Sequence, residues 1–343
     1  MSHRSHLRIA LPNEIRALLA GLAMTAALLV AERPARAQEA ASVSSSPVLH
    51  LDRQSMGDAW WTGPMLAPSA ATLPQGHFLV EPYFYDVSTS GSNTFGSLSY
   101  ILYGLRNKLT IGMIPTVDYE VVNGGLNSST VELGDTSLLI QCGLTQFHEG
   151  SWHPMTAINV QQTFPTGRYD QLGNKPSDGF GGGAYTTAIA LYSQTYLWLP
   201  NGRILRMRFN ISDAFSSSVG VQGVSVYGTD AGFRGNAKPG QAAFADLAGE
   251  YSVTKKWVAA LDVEYHFNGN TNVSGFDMLA SAGSQSFSSV ETNSGSIGQI
   301  IFAPAVEFNW KHNLGVLVGT RIIEVGHNIT PSITPAIAIN YVH

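Results

Sequence analysis

Long segments in which apolar and polar residues strictly alternate constrain the fold of this chain more than any other feature. Residues 257–267 are the clearest example, because Leu261 and the other odd-numbered positions are apolar or aromatic while Asp262 and Glu264 share the opposite face. Successive side chains of a β-strand point to opposite faces, so this period of two predicts strands with one apolar face and one polar face. The same period recurs in residues 109–120, 204–213 and 333–341.

The predicted strands are too long for an ordinary globular sheet. They run 10–14 residues, whereas globular strands run about 5–6 and a tilted strand that crosses a bilayer needs about 9–11. After residue 37 no run of 18 apolar residues predicts a transmembrane helix. Aromatic residues also gather near the strand ends, where interfacial girdles lie. These residues are Trp152, Trp198, Trp257, Trp310 and Tyr341.

Counting the alternating segments predicts twelve strands. They cover residues 77–86, 96–105, 109–121, 133–146, 152–164, 184–198, 203–216, 241–253, 257–268, 296–310, 314–326 and 332–343. Short breaks between them alternate with long polar stretches, as in outer-membrane barrels. The long stretches are 87–95, 122–132, 165–183, 217–240 and 269–295, with a brief one near 327–331. A sheet in hydrocarbon must have no open edge, so the sequence predicts an all-β fold, an antiparallel transmembrane β-barrel of about 12 strands.

The N-terminus has the order of a secretory signal peptide. Three arginines precede an apolar run over residues 17–30, and Ala35-Arg36-Ala37 supplies the small-residue cleavage pattern. We therefore predict that residues 1–37 are a signal peptide.

Two further segments follow the predicted signal peptide. Residues 38–71 are rich in Ala and Ser and are predicted to be a mobile N-terminal segment. Within it, Trp60 and Trp61 are expected either to dock on the rest of the protein or to lie at a membrane interface. Residues 72–343 are predicted to form the barrel.

The composition argues against several functional classes. Charged residues make up 13% of the chain, about half of what soluble domains contain. Lys and Arg number 19 against 24 Asp and Glu, which argues against a nucleic-acid partner. Cys142 is the only cysteine, so an internal disulfide is impossible. Without residues 1–37 the chain has 14 basic and 22 acidic residues, a balance that favours cations or neutral solutes over anions.

Strand parity predicts which side chains face the lumen. The pore-lining candidates are Glu81, Tyr83, Asp118, Glu120, Arg206, Arg208, Asp246, Glu250, Asp262, Glu264, Glu307 and Arg321. Two roles are compatible with such a set: the charges pair across the lumen as a structural network, or they line a constriction that selects solutes. Both roles can hold at once.

Neither a metal site nor an enzyme is expected. Asp262, Glu264 and His266 share one strand face, but each step along it spans about 6.6 Å, which is too wide for one ion. No Gly-x-Ser-x-Gly stands between a strand and a helix, and Gly283-Ser-Gln-Ser-Phe287 lacks the final glycine. We predict no catalytic residues, no metal and no cofactor.

Four segments resemble the outer-membrane family named for the meta-pathway of phenol degradation, whose members are often labelled transporters. They are Thr72-Leu-Pro-Gln-Gly-His-Phe78, Tyr103-Gly-Leu-Arg-Asn-Lys-Leu-Thr-Ile-Gly112, Leu133-Gly-Asp135 and Phe164-Pro-Thr-Gly-Arg-Tyr-Asp170. The resemblance runs over nearly all of residues 72–343. It implies a barrel associated with passage of small, often aromatic or otherwise hydrophobic compounds, and it implies no catalytic residues.

The last of these segments has two interpretations. Proline cannot donate to a strand ladder and glycine tolerates a positive φ, so the Pro-Thr-Gly sequence ends a strand and turns the chain. Alternatively, the glycine-rich loop 165–183 acts as a gate. The gate candidates are Pro165, Thr166, Gly167, Arg168 and Asp170.

Taken together, the sequence predicts an outer-membrane barrel of a Gram-negative bacterium for passive uptake or passage of small hydrophobic or aromatic solutes. Its expected partners are outer-membrane lipids, the solute and the barrel-assembly machinery. The terminal His343 departs from the aromatic residue, usually Phe, on which such barrels commonly finish. The alternatives are a closed structural or adhesive barrel that acts through its loops, an outer-membrane lipid hydrolase, and a secreted β-sandwich.

Overall fold

The alternating segments form β-strands that turn their polar faces inward and their apolar faces outward. The computed structural model describes residues 53–281 and 284–343. In chain order, and after a short 3₁₀ turn at Met56–Asp58, the strands are β1 (Phe78–Ser88), β2 (Ser92–Arg106), β3 (Leu109–Ile114), β4 (Thr116–Val122), β5 (Glu132–Leu133), β6 (Thr136–Thr145), β7 (Met155–Phe164), β8 (Thr186–Trp198), β9 (Ile204–Ser216), β10 (Val219–Gln222), β11 (Phe233–Lys238), β12 (Ala242–Ser252), β13 (Trp257–Asn268), β14 (Asn272–Ser281), β15 (Ser284–Asn293), β16 (Ile297–Lys311), β17 (Leu314–His327) and β18 (Ser332–Val342), with a second 3₁₀ turn at Pro176–Asp178 before β8.

Most of these strands form one antiparallel sheet that closes on itself. The sheet runs β1-β18-β17-β16-β13-β12-β9-β8-β7-β6-β3-β2, and β1 also pairs with β2. Pro115 separates β3 from β4, and Gly134-Asp135 separates β5 from β6. Each of these pairs continues the same barrel strand. The barrel therefore has twelve strands, which confirms the predicted fold and strand count.

The last residue of the chain takes part in closing the barrel. The Phe78 N–H donates to the His343 carbonyl oxygen at 3.1 Å, and the His343 N–H donates to the Phe78 carbonyl oxygen at 2.9 Å. The His343 and Phe78 rings also lie 5.3 Å apart. The histidine that replaces the usual terminal aromatic residue thus packs as an aromatic residue would.

The outer face of the barrel is an apolar belt between two rings of aromatic residues. Short turns such as 107–108 and 312–313 lie at one end of the barrel, here called the short-turn end, and the opposite end is called the long-loop end. The exposed aromatic residues at the short-turn end are Tyr103, Trp152, Trp257, Trp310 and Tyr341, and those at the long-loop end are Phe84, Phe95, Phe164, Tyr185 and Phe215. Aliphatic side chains such as Ile140 and Val306 are exposed between them. Such a belt matches the hydrocarbon layer of a bilayer.

No helix within residues 53–281 and 284–343 has the length and apolar character needed to cross a membrane.

The predicted long loop at 87–95 is wrong. β1 continues to Ser88 and β2 begins at Ser92, so only Thr89–Gly91 forms the turn. The Ser, Thr and Asn residues that suggested a loop belong to strands that continue past the exposed Phe84 and Phe95. A strand that leaves the apolar layer no longer needs an apolar outer face.

The predicted loops at 217–240 and 269–295 contain a second sheet, so treating them as plain loops is also wrong. Its strand order is β10-β11-β14-β15. A small core that includes Val221, Phe233 and Val273 holds this sheet together. The sequence reading missed it because these segments are rich in Gly and Ser and lack a continuous apolar face.

The seam between β1 and β18 is expected to be essential for closure. Deleting residues 341–343 removes the pairing of Tyr341 and Val342 with β1, together with that of His343. The deletion leaves backbone groups of β1 unpaired in hydrocarbon, each at a cost of about 1–3 kcal/mol. We expect the truncated protein to lose the fast-migrating band that a closed barrel gives on gels when it is not boiled.

The His343→Phe variant is the matched control for this truncation. Its backbone pairing is unchanged, so we expect it to keep the fast band in the outer-membrane fraction. A truncated protein that still shows a fast, heat-modifiable band would mean that the barrel closes without this part of the seam.

Candidate functional site

All twelve pore-lining candidates lie on the inner face of the barrel. Nine of them are buried: Glu81, Tyr83, Arg206, Arg208, Asp246, Glu250, Asp262, Glu264 and Glu307. Asp118, Glu120 and Arg321 are partly exposed and lie nearer the long-loop end. Their inward orientation follows from the period of two, since each shares a strand face with other inward residues.

The N-terminal segment lies inside the lumen. The indole N–H of Trp198 donates to the Gln54 carbonyl oxygen at 2.7 Å. The backbone N–H of Gln54 donates to the Gly202 carbonyl oxygen at 2.9 Å. Further along, the Leu73 N–H donates to Thr110 Oγ1 at 2.8 Å. Both contacts are near the short-turn end, so residues 54–73, here called the arch, rise into the lumen and return.

The arch accounts for much of the segment that was predicted to be mobile. Residues 53–71 contact the barrel wall, and the rest of the predicted mobile segment, 38–52, lies outside the described residues, as does the predicted signal peptide. Trp61 is only 2% exposed and packs with Tyr196, Ile204 and Val258. Of the two expectations for this tryptophan, the structure shows docking on the rest of the protein.

Two buried arginines hold the carbonyl groups of the arch. Arg206 Nη2 donates to the Trp61 carbonyl oxygen at 2.9 Å. The Arg206 Nε donates to Glu250 Oε2 at 2.5 Å, and its Nη2 also contacts Glu250 Oε1. Arg208 Nε lies 3.2 Å from the same carboxylate. Arg208 also donates to the carbonyl oxygens of Ala67 at 2.6 Å and Thr62 at 2.9 Å. Charge-assisted hydrogen bonds of this kind are about twice as strong as neutral ones.

Buried carboxylates hold the N–H groups of the arch. Asp262 accepts hydrogen bonds from the N–H groups of Met65 and Ala67, both at 3.0 Å. Glu307 accepts the Thr62 N–H at 3.1 Å, and Glu81 accepts the Thr62 hydroxyl at 2.9 Å. The arch has no strand partner along these residues, so the carboxylates supply the acceptors that its buried backbone needs. The lumen charges therefore form a network whose other partner is the arch.

A cavity of about 320 Å³ remains between the arch and the wall formed by β1–β3 and β6–β9. Its lining on that wall includes Tyr83, Tyr100, Tyr192, Leu139 and Asn159. Most of the side chains on this wall carry no charge. The charged side chains that also line the cavity are Glu81, Arg206 and Arg208, each of which binds the arch.

The lumen beyond the arch contains a second group of charges. Asp246 is 1% exposed and its carboxylate has no hydrogen-bond partner among the described residues. His266 Nδ1 lies 3.0 Å from Glu264 Oε1. Within the described part of the chain no three His, Cys, Asp or Glu side chains are arranged to hold a metal ion.

The loop 165–183 is clamped at both ends by Asp135. This carboxylate accepts the Gly167 N–H at 2.9 Å and the Gly182 N–H at 2.7 Å. Gly181 must be glycine, because a Cβ there would lie 2.3 Å from the Gly167 carbonyl oxygen. Sequence reasoning did not place Asp135 in the site. The Gly134-Asp135 pair between β5 and β6 was the only sequence feature that pointed to this residue.

The gate candidates occupy the start of this loop. Pro165 directly follows β7, and the Thr166 hydroxyl donates to the Gly134 carbonyl oxygen at 2.9 Å. Arg168 lies 3.5 Å from Asp178, and Asp170 accepts the Gln222 N–H at 3.0 Å. The Pro-Thr-Gly sequence therefore ends the strand and fixes the loop, whereas gating by this loop remains a prediction.

The barrel fold is shared with one solved outer-membrane channel. A match to an outer-membrane channel from Pseudomonas putida F1 has a TM-score of 0.60 at 12% identity, and it covers 81% of this chain and 100% of that chain. The NanC porin matches with a TM-score of 0.42 at 7% identity, over 76% and 98% of the two chains. The toluene transporter TodX of Pseudomonas putida matches with 0.38 at 11% identity, over 85% and 93%. At 12% identity the first likeness shows a common fold, and the two weaker ones add nothing to it.

A scan against protein-family models and a comparison with curated proteins gave no match.

Removing Arg208 is expected to loosen the arch and widen the open part of the lumen. Arg208→Met deletes two hydrogen bonds to arch carbonyl groups and one partner of Glu250, and breaking a buried ion pair costs about 3–5 kcal/mol. We expect the single-channel conductance in planar bilayers to rise several-fold. Arg234→Met, an exposed position on β11, is the matched control and is expected to leave conductance unchanged. Equal conductance in both variants would show that the arch does not limit the channel.

Acid is expected to release the middle of the loop 165–183. Burial alone would raise the pKa of Asp178, but hydrogen bonds from Ser129 and the charges of Arg168 and Lys175 hold this pKa below the ordinary value of 3.8. A carboxyl whose pKa is lowered by folding contributes stability above its unfolded pKa and loses it as the pH falls through the folded value. The loop contact should therefore be intact at neutral pH and weaken well below pH 3.8.

A spin label at Asn174→Cys in a Cys142→Ser background measures this release. We expect the label to be immobile at neutral pH and mobile in strong acid. In Asp178→Asn it should already be mobile at neutral pH, whereas the control Asp230→Asn should behave as the parent. An immobile label in Asp178→Asn would show that the carboxylate does not hold the loop.

Proposed function

We propose that this protein is an outer-membrane channel of a Gram-negative bacterium for the passive passage of small, uncharged, hydrophobic or aromatic solutes. One observation carries the proposal: the arch occupies the lumen without filling it and leaves a cavity of about 320 Å³. Small-molecule sites typically span about 300–1,000 Å³. A barrel with a purely structural role does not require a cavity beside the arch.

The charges around the arch favour uncharged solutes. Arg206 and Arg208 both bind Glu250, and the two arginines also bind the arch. Asp262 and Glu307 accept backbone N–H groups of the arch. Ion-selective pores use rings of charge that remain free to meet the ion. In our proposal the solute passes along the neutral wall, and displacement of the arch opens the short-turn end.

The proposed location follows from the outer surface. The apolar belt contacts outer-membrane lipids, and the short-turn end faces the periplasm, as is usual in such barrels. We propose that residues 1–37 direct export and that the barrel-assembly machinery recognises the last strand, β18. The loop 165–183, clamped by Asp135, is the proposed outer gate.

Solute flux into proteoliposomes with a lipopolysaccharide outer leaflet tests the proposal. We expect the initial entry rate of benzyl alcohol to rise several-fold over protein-free vesicles, and that of benzoate, the carboxylate with the same ring, to rise little. The charge on benzoate must leave water without finding a free partner, which is costly in a site of low dielectric. Entry of neither solute would favour the closed structural or adhesive barrel, and labelling by a serine-reactive probe would favour the lipid hydrolase.

A further inference from the structure

The cavity beside the arch exposes polar groups that the fold itself does not use. Within the described residues, the phenolic hydroxyls of Tyr83, Tyr100 and Tyr192 form no hydrogen bond, and neither do the side-chain amides of Asn159 and Gln161. All five residues line the cavity. Tyr83, Asn159 and Tyr192 are buried, whereas Tyr100 and Gln161 are half-buried. Polar groups in such positions are normally paired, so five uncharged, unpaired groups that open onto one space point to a ligand or to water.

The same cavity also presents apolar surface of aromatic size. The Tyr83 and Tyr100 rings meet edge to face with centroids 6.1 Å apart. Leu102 and Leu139 contribute aliphatic surface next to them. An aromatic ring placed here can extend the edge-to-face arrangement, which is worth more than burial of its area alone.

Among the described residues, no unpaired charged side chain lines this cavity. The two arginines that touch the cavity, Arg206 and Arg208, already bind Glu250 and the arch. The carboxylate that touches it, Glu81, already accepts the Thr62 hydroxyl. A charged ligand would lose its hydration here without gaining an ionic partner.

The arch is fixed to the same wall, which keeps the cavity defined. The Gln141 amide donates to the carbonyl oxygens of Ser69 at 3.0 Å and Ala71 at 3.1 Å. The Ser69 hydroxyl in turn donates to Gln194 Oε1 at 3.0 Å. The far side of the cavity is therefore formed before any ligand arrives.

We propose that this cavity is a binding site for one uncharged, ring-sized molecule that carries a hydroxyl or carbonyl group. The inference rests on the proposed function and deepens it, because it selects a neutral hydrogen-bonding solute over a plain hydrocarbon and over any ion. The ring lies against the tyrosines and leucines, and its polar group pairs with Tyr192, Asn159 or Gln161.

Four probes that share one ring test the site: benzyl alcohol, toluene, benzoate and benzylammonium. Binding to the full-length protein in detergent is measured by equilibrium dialysis, and the saturable component is compared. We expect benzyl alcohol to bind about tenfold more tightly than toluene, as one or two added hydrogen bonds predict. Neither ion should show saturable binding.

Conservative variants locate the site. Tyr192→Phe and Gln161→Leu should lower the affinity for benzyl alcohol toward that for toluene and leave toluene binding unchanged. Leu139→Trp should fill the cavity and remove the saturable component for both. The control Tyr185→Phe, at an exposed position outside the cavity, should change nothing.

The outcomes separate this inference from the proposed function. Saturable binding of benzoate, or binding of all four probes in order of their hydrophobicity alone, would overturn the binding site, yet flux of benzyl alcohol through the wild type would leave the channel standing. Saturable binding of benzyl alcohol that depends on Tyr192 and Gln161, without flux, would support the site and overturn the channel.

Discussion

The requirement that no backbone hydrogen-bonding group be left unpaired in hydrocarbon determines the rest of this structure. It forces the sheet to close, and closure extends to the final residue, because His343 pairs with Phe78. Closure in turn makes the inner faces of twelve strands converge on a narrow lumen. Side chains such as Glu307 and Arg208, which parity points inward, then become buried rather than solvated. Buried charges need hydrogen-bond partners, and the backbone of the arch supplies partners for several of them.

The arch and the barrel wall satisfy each other's polar groups. Extended backbone without a strand partner is costly to bury, and so are unpaired carboxylates and guanidinium groups. Asp262 accepts two arch N–H groups, and Arg208 donates to two arch carbonyl groups. Neither side would be stable in the lumen alone. This mutual dependence explains how a segment with no regular secondary structure between residues 59 and 77 keeps a defined path.

The sequence predicts most of the barrel strands but not the arch that lies in the lumen. The period of two predicted the twelve strands and the inward orientation of residues such as Glu250 and Asp262, because lipid outside and a polar lumen inside impose opposite demands on alternate positions. The arch has no such period. Its path depends on contacts with residues more than 100 positions away, such as Ser69 with Gln194. The surplus of inward charges was the available sign that something else had to lie in the lumen. The second sheet was missed because its strands are short or rich in Gly and Ser, and its core is small.

Two sides of the lumen wall differ in chemistry: one carries the charged side chains that hold the arch, and the other carries mostly uncharged side chains. Strands β9, β12, β13 and β16 carry the charged side chains that hold the arch, from Arg206 to Glu307. Strands β6, β7 and β8 carry amides and a tyrosine ring in the matching inward positions, including Gln141, Asn159 and Tyr192. The charged side chains that hold the arch are paired with it or with one another. The remaining space lies mainly beside strands with uncharged inward side chains, and its charged lining residues are Glu81, Arg206 and Arg208. The stronger the ionic anchor of the arch, the fewer of the anchoring charges remain free to attract an ion, and this supports the proposed passage of neutral solutes.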